Sequence, residues 1–213
     1  MSIAGPFKPS LIGTLSAEAA IVKFRELLHC EARYVRLRPD AISISTNLNV
    51  SDGGIDAQVE SAHSLPQDTF LKVGRNGFQL KTGTTFKPWQ RSSLEKELLS
   101  KSGELVSEVR RTLELDGHYL LVCFGLDLTP KQRNDSQSLI ARLFEEASFP
   151  NVGAQIEVFG QCQIASYFER YPSLHLSLTG GSDDDFLSVS EWSQHAHMSN
   201  QIVLSEDQSE LIN

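Results

Sequence analysis

The sequence predicts an α/β protein, a three-layer α/β/α sandwich in which a central mixed sheet lies between two layers of helices. Two observations lead to this fold class. Segments with helical periodicity alternate along the chain with short segments of strand character. In addition, residues 119–124 form a continuous apolar run, which is typical of a strand buried on both faces. A strand of that kind needs helices above and below the sheet.

The N-terminal half is predicted to contain one helix followed by a series of strands. Ser16 is a suitable N-cap, and apolar residues follow it at helical spacing over residues 17–30. The segments predicted as strands are residues 32–38, 41–48, 55–61, 70–73 and 78–82. Turns rich in glycine and proline separate them, including one at residues 74–77.

The C-terminal half alternates predicted helices and strands. One helix should run from Ser92 or Ser93 to about Leu115, with Gly103 as a point of interruption. The clearest local signal is Thr-Pro-Lys-Gln at residues 129–132, where a capping box and an early proline predict a helix that ends near residue 147. The remaining predictions are a strand at 154–159, a helix at 164–171 and a last strand at 174–178.

The negative charge of the chain is concentrated in its C-terminal segment. The chain has 213 residues and a net charge of −8. Seven of its 27 acidic residues, and none of its 19 Lys and Arg residues, lie beyond Gly180, so residues 1–180 carry 20 acids and a net charge of −1. A near-neutral body leaves room for a basic groove and does not exclude DNA or RNA. We predict a folded domain at residues 1–180, then an acidic linker and the start of a following region at 181–213.

We expect a cytoplasmic protein with no membrane partner. No apolar run approaches the roughly 18 residues of a membrane span, and the N-terminus lacks the basic and apolar regions of a secretory signal. The three cysteines, Cys30, Cys123 and Cys162, are odd in number and widely spaced in apolar surroundings. This pattern predicts buried free thiols in a reducing compartment.

Two glycine-flanked segments carry the residues with the clearest chemical potential. Gly-Gly-Ile-Asp ends at Asp56, and Gln79, Leu80 and Lys81 lie in the strand predicted at 78–82. Side chains alternate along a strand, so Gln79 and Lys81 share one face. If the two strands are neighbours, Asp56 joins them. Carboxylate and amide oxygens suit Mg²⁺, and a lysine beside them can stabilise the charge that develops on a phosphate.

A metal site of this composition needs a second acid, because Gln79 contributes an oxygen without a charge. Glu18 in the first turn of the leading helix and Glu60 on the strand at 55–61 are the two candidates. Glu18 has an equally good explanation as a surface acid that compensates the helix dipole. The sequence leaves the choice open.

These residues resemble the PD-(D/E)XK nuclease superfamily, and in particular its Mrr-like restriction endonuclease branch, in which Gln replaces the usual acid of the last motif. The shared pattern is a leading helix with Glu18, then Gly-Gly-Ile-Asp56, then a hydrophobic strand that ends in Gln79-x-Lys81. The resemblance implies that Asp56, Gln79 and the Leu80 backbone carbonyl bind metal. It also implies that Glu18 is the family's helix acid and that Lys81 is the catalytic lysine.

The resemblance also implies an activity. Nucleases of this type cut phosphodiester bonds with Mg²⁺ or Mn²⁺ on a restriction-endonuclease-like αβββαβ core, which here would span residues 14 to about 125. The chain is therefore expected to be a metal-dependent endonuclease that acts on double-stranded DNA, as a homo-oligomer where both strands are cut. The acidic segment after residue 180 resembles the arrangement in which such nucleases are fused to NTPase sensor modules in bacterial antiphage systems. An effector domain of a defence protein is the expected context.

Three cations near the predicted site are nominated as nucleic-acid contacts: Arg36, Lys87 and Arg91. Taken individually, each is better explained as a solvated surface cation. On the strand predicted around Arg36, a period of two would place Tyr34 and Arg38 on the same face, where they could hold a base and a phosphate. The alternative for that strand is an exposed edge protected by its charges.

Two other functions fit the same residues. One is a catalytically silent module on the same fold that binds nucleic acid or another protein. The other is a dimerisation domain whose polar cluster is a structural network. A further pair, His195 and His197, has no acid or cysteine at ligand spacing and is not expected to bind metal.

Overall fold

The computed structural model describes residues 7–44, 53–150 and 152–179, and the structural statements below refer to them. By its internal contacts the chain divides into two units, Met1–Thr179 and Gly180–Asn213. The second unit, with the predicted acidic linker and the two histidines, lies outside the described residues, as does the end of the strand predicted at 41–48.

A five-stranded mixed sheet forms the centre of the fold, and its strands lie side by side in chain order. The strands are β1 (Ile42–Ile44), β2 (Ala57–Ser61), β3 (Gly74–Lys81), β4 (His118–Cys123) and β5 (Ile156–Phe159). β1, β2 and β3 pair antiparallel, whereas β3, β4 and β5 pair parallel. The parallel pairs require crossover connections, which helices supply.

Helices cover both faces of this sheet. Within the described ranges they are α1 (Ser10–Gly13), α2 (Ala17–Tyr34), α3 (Arg91–Leu98), α4 (Ser107–Glu114), α5 (Pro130–Glu146), α6 (Gln161–Arg170) and α7 (Pro172–Thr179). Two short 3₁₀ turns lie at Pro39–Ala41 and Val152–Gln155. Apolar residues of α1, α2, α6 and α7 form one hydrophobic core with the sheet, and those of α3, α4 and α5 form the other.

Alternate residues of the central strands supply the two cores. Leu120 and Val122 of β4 pack with α2, whereas Tyr119, Leu121 and Cys123 pack with α3, α4 and α5, and all five side chains are fully buried. The continuous apolar run is therefore a strand buried on both faces, as predicted. The three-layer α/β/α sandwich with a mixed sheet is confirmed.

The prediction of a strand at residues 32–38 is wrong, because α2 continues through the first three residues of that segment. The helix ends in a Schellman motif. Leu37 N donates to Ala32 O at 2.7 Å, Arg36 N donates to Arg33 O at 3.1 Å, and Arg36 itself has φ 59°. Glycine usually occupies this left-handed position, so an arginine gave no signal of the helix end.

Two other predictions fail at element boundaries. Residues 74–77, predicted as a turn, are the first half of β3, since Arg75 and Asn76 are buried and paired with β2. The residues just before them, predicted as a strand at 70–73, lie outside the sheet. The last strand, predicted at 174–178, is helix α7. Pro172 opens it at the first helical position, where a proline loses no hydrogen bond.

The long helix predicted up to Leu115 is divided into α3 and α4. Gly103 has φ 80° in the connection, and Leu99 and Leu105 form an antiparallel bridge across it. Val106 N then donates to Leu98 O at 2.9 Å. The predicted interruption at Gly103 is confirmed, and its reason is a left-handed turn that glycine adopts without steric cost.

Helix α5 begins with the predicted capping box. Gln132 N donates to Thr129 Oγ1 at 3.3 Å, and Thr129 N donates to Gln132 Oε1 at 3.0 Å. Pro130 occupies the first turn. Two amide groups that the helix itself cannot satisfy are thus paired reciprocally.

Replacement of the cap by alanine should weaken this helix. Thr129→Ala is expected to lower the free energy of unfolding by about 1 kcal/mol, because one N–H of the first turn loses its acceptor. Ser138→Ala, on the exposed face of the same helix, is the control and should change it by less than about 0.5 kcal/mol. Urea denaturation measures both, and equal effects would contradict a capping role.

A buried carboxylate joins α2 to the C-terminal helices. Glu31 is fully buried and accepts hydrogen bonds from Thr69 Oγ1 at 2.6 Å and Tyr171 Oη at 2.7 Å, with Arg170 Nη1 at 3.4 Å. Burial raises the pKa of Glu31 above its ordinary value, although these three neighbours oppose the shift.

The raised pKa of Glu31 predicts a pH dependence of stability. Above the ordinary carboxyl value of 4.5, the folded chain binds a proton that the unfolded chain has already released, so the contribution of Glu31 falls as the pH rises. The free energy of unfolding of the wild type relative to Glu31→Gln should therefore decrease as the pH is raised from 4.5. Urea titrations at several pH values test this, with Glu26→Gln on the same helix as control. A difference that rises with pH would be the contrary result.

None of the helices in the described part of the chain is long and apolar enough to cross a membrane. The three cysteines form no disulfide, and only Cys123 is buried, where burial raises the pKa of its thiol to about 12. Cys30 is partly exposed and Cys162 is exposed. The prediction of three buried thiols is correct only for Cys123.

Candidate metal centre

The end of β3 presents two polar side chains to the layer of α3, α4 and α5. Phe78 is buried against α2, so Gln79 and Lys81 point to the opposite face. Gln79 is only 4% exposed, whereas the Lys81 side chain is 20% exposed. A buried amide is therefore followed, two residues later, by a cation at the edge of the sheet.

Asp56 meets the same end of β3 from the loop that precedes β2. Its backbone N–H donates to Phe78 O at 2.8 Å. Its side-chain Oδ2 accepts a hydrogen bond from Leu80 N at 2.5 Å. The Asp56 carboxylate thus accepts the Leu80 N–H that a backbone carbonyl would accept if β2 were longer. This hydrogen bond holds Asp56 beside the end of β3, where Gln79 lies.

Two glycines bring Asp56 to this place. Gly53 and Gly54 have φ values of 66° and 89°, a conformation that favours glycine. A Cβ at Gly54 would lie 2.6 Å from a methyl group of Val106. Glu108 N donates to Gly53 O at 3.2 Å. The loop therefore packs against the start of α4 so closely that a side chain at Gly54 would clash with Val106.

The Leu80 carbonyl is oriented as the sequence resemblance requires of a ligand. In a strand the N–H and C=O of one residue point to the same neighbouring strand. Leu80 N faces the Asp56 carboxylate, so Leu80 O faces the same side, past the first residue of β2. Its oxygen and the Asp56 carboxylate lie at one edge of the sheet.

A second carboxylate, Glu97 of α3, completes the cluster and was missed by the sequence analysis. Lys81 Nζ lies 2.5 Å from Glu97 Oε2, and Gln79 Nε2 lies 3.5 Å from the same oxygen. One indirect signal was present. Leu94 and Leu98 form the buried side of α3, and Glu97 lies beside them at the boundary between core and solvent.

Tyr119 lies beneath Gln79 on the same face of the sheet. It is fully buried, and its hydroxyl donates to Gln79 Oε1. Burial raises the pKa of Tyr119 well above its ordinary value, and the negative charges of Asp56 and Glu97 add to the shift. The phenol therefore stays protonated and donates to the amide oxygen of Gln79.

Glu60, one of the two candidates for the second acid, lies at the far end of β2. It pairs with Arg75 at 3.5 Å, and Arg75 also contacts Gln58 at 2.7 Å and Glu108 at 3.7 Å. Glu60 lies four residues after Asp56, which corresponds to roughly 13 Å along a strand. Glu60 is therefore too far away to bind an ion that Asp56 holds. Its role is in a separate polar network.

Glu18 lies at the same edge of the sheet as Lys81 but in the other helix layer. Gly13, just before α2, lies close to the backbone of Phe124, and Phe124 N donates to Lys81 O. The Glu18 side chain is exposed. Among the residues that the structure describes, it forms no hydrogen bond or ion pair with Asp56 or Gln79. The assignment of Glu18 as an acid of the site stays a prediction.

The three nominated cations have different surroundings. Arg36 lines an open cavity of about 270 Å³ with Glu60 and His63, at the end of β2 remote from Asp56, so it does not flank the site. Arg91 forms two hydrogen bonds to Glu146, at 2.9 and 2.6 Å, and one to Glu95.

Lys87 is the nominated cation that lies beside the cluster. It is exposed in the loop between β3 and α3. The neighbouring Phe86 ring lies 5.6 Å from Lys81 Nζ, which places this loop beside the cluster. Arg36 is thus excluded from the site by its position, and Arg91 is occupied by carboxylates.

The oxygen atoms at this edge fit a hard divalent cation. They come from two carboxylates, Asp56 and Glu97, and from the Leu80 carbonyl. The Gln79 amide oxygen, which accepts from Tyr119 on the core side, is a fourth candidate. All are ligand types that Mg²⁺ and Mn²⁺ prefer. The described residues contain no group of three or more His, Cys, Asp or Glu side chains that could hold a metal. A site here would therefore depend on amide and backbone oxygens as well as on the acids.

Comparisons with protein-family models, with curated proteins and with solved structures found no match to the chain.

The Lys81–Glu97 ion pair should be measurably coupled. In a double-mutant cycle with Lys81→Met and Glu97→Gln, we expect an interaction free energy of about 1 kcal/mol, because both groups are largely shielded from water. The exposed pair Lys131–Asp135 has the same 2.5 Å separation and should give only about 0.3–0.5 kcal/mol. Chemical denaturation of the single and double variants measures both, and equal coupling would show that burial contributes nothing.

Proposed function

We propose that the chain is a metal-dependent endonuclease that hydrolyses phosphodiester bonds of DNA. The observation that carries this proposal is that Asp56 and Glu97 contact consecutive residues at the end of β3, where Gln79 and Lys81 emerge. Two acids, an amide, a backbone carbonyl and a lysine at one sheet edge can hold a divalent cation and stabilise the charge that develops when a phosphodiester is hydrolysed. They match the pattern by which the sequence resembles Mrr-like nucleases, except that Glu97 takes the place expected of Glu18.

Each residue has a definite task in this proposal. Asp56, Glu97, Gln79 and the Leu80 carbonyl would hold Mg²⁺ or Mn²⁺. Such an ion, when bound, supplies Lewis-acid polarisation of the phosphate and activation of water. Lys81 places a positive charge beside the reacting phosphate, where it stabilises the charge that develops there. Its bond to Glu97 fixes the ammonium group, which lowers the cost of orienting a flexible side chain during the reaction.

The setting proposed for the activity is the effector domain of a bacterial defence protein, fused to an NTPase sensor. DNA would approach the edge of the sheet beside Lys87. A single centre cuts one strand, so cleavage of a duplex would use two copies of the chain.

A second candidate is a catalytically silent binding or dimerisation module on the same fold. One observation favours it. Gln79 is already bonded to Tyr119 and Glu97, and Lys81 to Glu97, as in a structural polar network that is satisfied internally. A silent nucleic-acid binder would bind DNA with a steep salt dependence and no response to metal.

Substitution within the cluster tests the activity. Asp56→Asn and Lys81→Met are each expected to lower Mg²⁺-dependent cleavage of plasmid DNA by at least about a hundredfold. The first removes a carboxylate that would hold the metal, and the second removes the cation beside the reacting phosphate. Lys96→Met, an exposed lysine of α3, removes the same charge outside the cluster and should keep full activity. Thermal unfolding verifies that the variants are folded.

Calorimetric titration with Mn²⁺ separates the two candidates independently of cleavage. If the chain is an endonuclease, the wild type should bind Mn²⁺ and the Asp56→Asn variant should not. The proposal would be refuted if the wild type cleaved DNA with none of the divalent metals tested. It would also be refuted if both variants remained fully active. DNA binding without Mn²⁺ binding would identify the silent module.

A further inference from the structure

The buried amide of Gln79 is held at both ends, and the two ends face different surroundings. Tyr119, which lies opposite Gly77 in the β3–β4 register, donates to the amide oxygen from the core side. Glu97, which also binds Lys81 at the strand end, lies 3.5 Å from the amide nitrogen. The oxygen therefore points into the protein, and the NH₂ group points toward the edge of the sheet.

This orientation is opposite to the one that a metal ligand needs. A cation binds the amide oxygen, because the nitrogen is only a hydrogen-bond donor. The carboxylate that would share the ion, Glu97, lies on the nitrogen side of the amide. Rotation about the last side-chain bond of Gln79 would exchange oxygen and nitrogen. That torsion is two-fold and broad, so both orientations are accessible without movement of the strand.

We propose that the Gln79 amide turns over when a divalent cation binds, and that Tyr119 is the positioning residue that favours the metal-free orientation. The inference rests on the proposed function of the same site. Before rotation, the phenol proton is donated to the amide oxygen. After rotation, the phenol oxygen accepts from the NH₂ group, but the phenol proton loses that acceptor. Because an unpaired buried donor is unfavourable, Tyr119 lowers the affinity of the site for metal.

Replacement of Tyr119 by phenylalanine tests the direction of this effect. Tyr119→Phe removes only the hydroxyl and keeps the ring, which packs edge-on against Phe144. Isothermal titration calorimetry of the full chain with Mn²⁺ should show roughly fivefold tighter binding, the equivalent of one ordinary hydrogen bond. If Tyr119 instead held the oxygen ready for the metal, the same change would weaken binding by about 10–100-fold, and the proposal would be wrong.

Gln79→Glu provides the matched control, since a carboxylate presents an oxygen at both ends. One oxygen can accept from Tyr119 while the other faces the edge, so no rotation is needed. In this background Tyr119→Phe should leave Mn²⁺ binding unchanged or weaken it. If Tyr119→Phe raised the Mn²⁺ affinity equally in both backgrounds, the inference would be overturned, because the effect of Tyr119 would then not depend on the amide.

Failure of the proposed function would look different. If neither the wild type nor any of these variants bound Mn²⁺, while thermal unfolding showed them all to be folded, both the metal centre and the amide rotation would be refuted. Binding in the wild type that Tyr119→Phe weakens would refute the rotation alone.

Discussion

The parallel pairing of β3 with β4 is the constraint on which the rest of the structure depends. β4 is buried on both faces, so the side of β3 that pairs with it has no access to solvent. Polar side chains on β3 must then find partners within the protein or lie at the strand end. Gln79 does the first and Lys81 the second. Tyr119 and Glu97 are the groups that satisfy them, and Asp56 accepts from the Leu80 N–H between them. The need to pair buried polar atoms thus assembles the cluster.

The sequence predicts the parts of the fold that depend on local patterns. The apolar run of β4 and the capping box at Thr129 are recognisable because each is determined within a few residues. The end of α2 is not, because an arginine occupies a position where glycine is the usual signal. The start of β3 was mistaken for a turn, since Arg75 and Asn76 are turn-forming types whose burial depends on pairing with β2.

The candidate site divides in the same way. Asp56, Gln79 and Lys81 could be named from spacing and strand alternation. Glu97 could not, because its contact with Lys81 joins α3 to the sheet through tertiary packing that no linear motif encodes. The cations were the least predictable. Arg91 is occupied by Glu146 across 55 residues of sequence, a pairing that depends on how α3 packs beside α5.

The seating of the glycine loop on α4 has a consequence for how the site can change. Gly53 is bonded to the start of α4, and Gly54 approaches both Val106 and the backbone of Glu97. The loop before Asp56 therefore meets α4 and the end of α3 at Gly54, so the spacing of the two acids depends on how closely this loop packs there. A side chain introduced at Gly54 would displace the acids relative to each other while leaving every functional group chemically intact. Tolerance to mutation should thus be as low at this glycine as at the acids themselves.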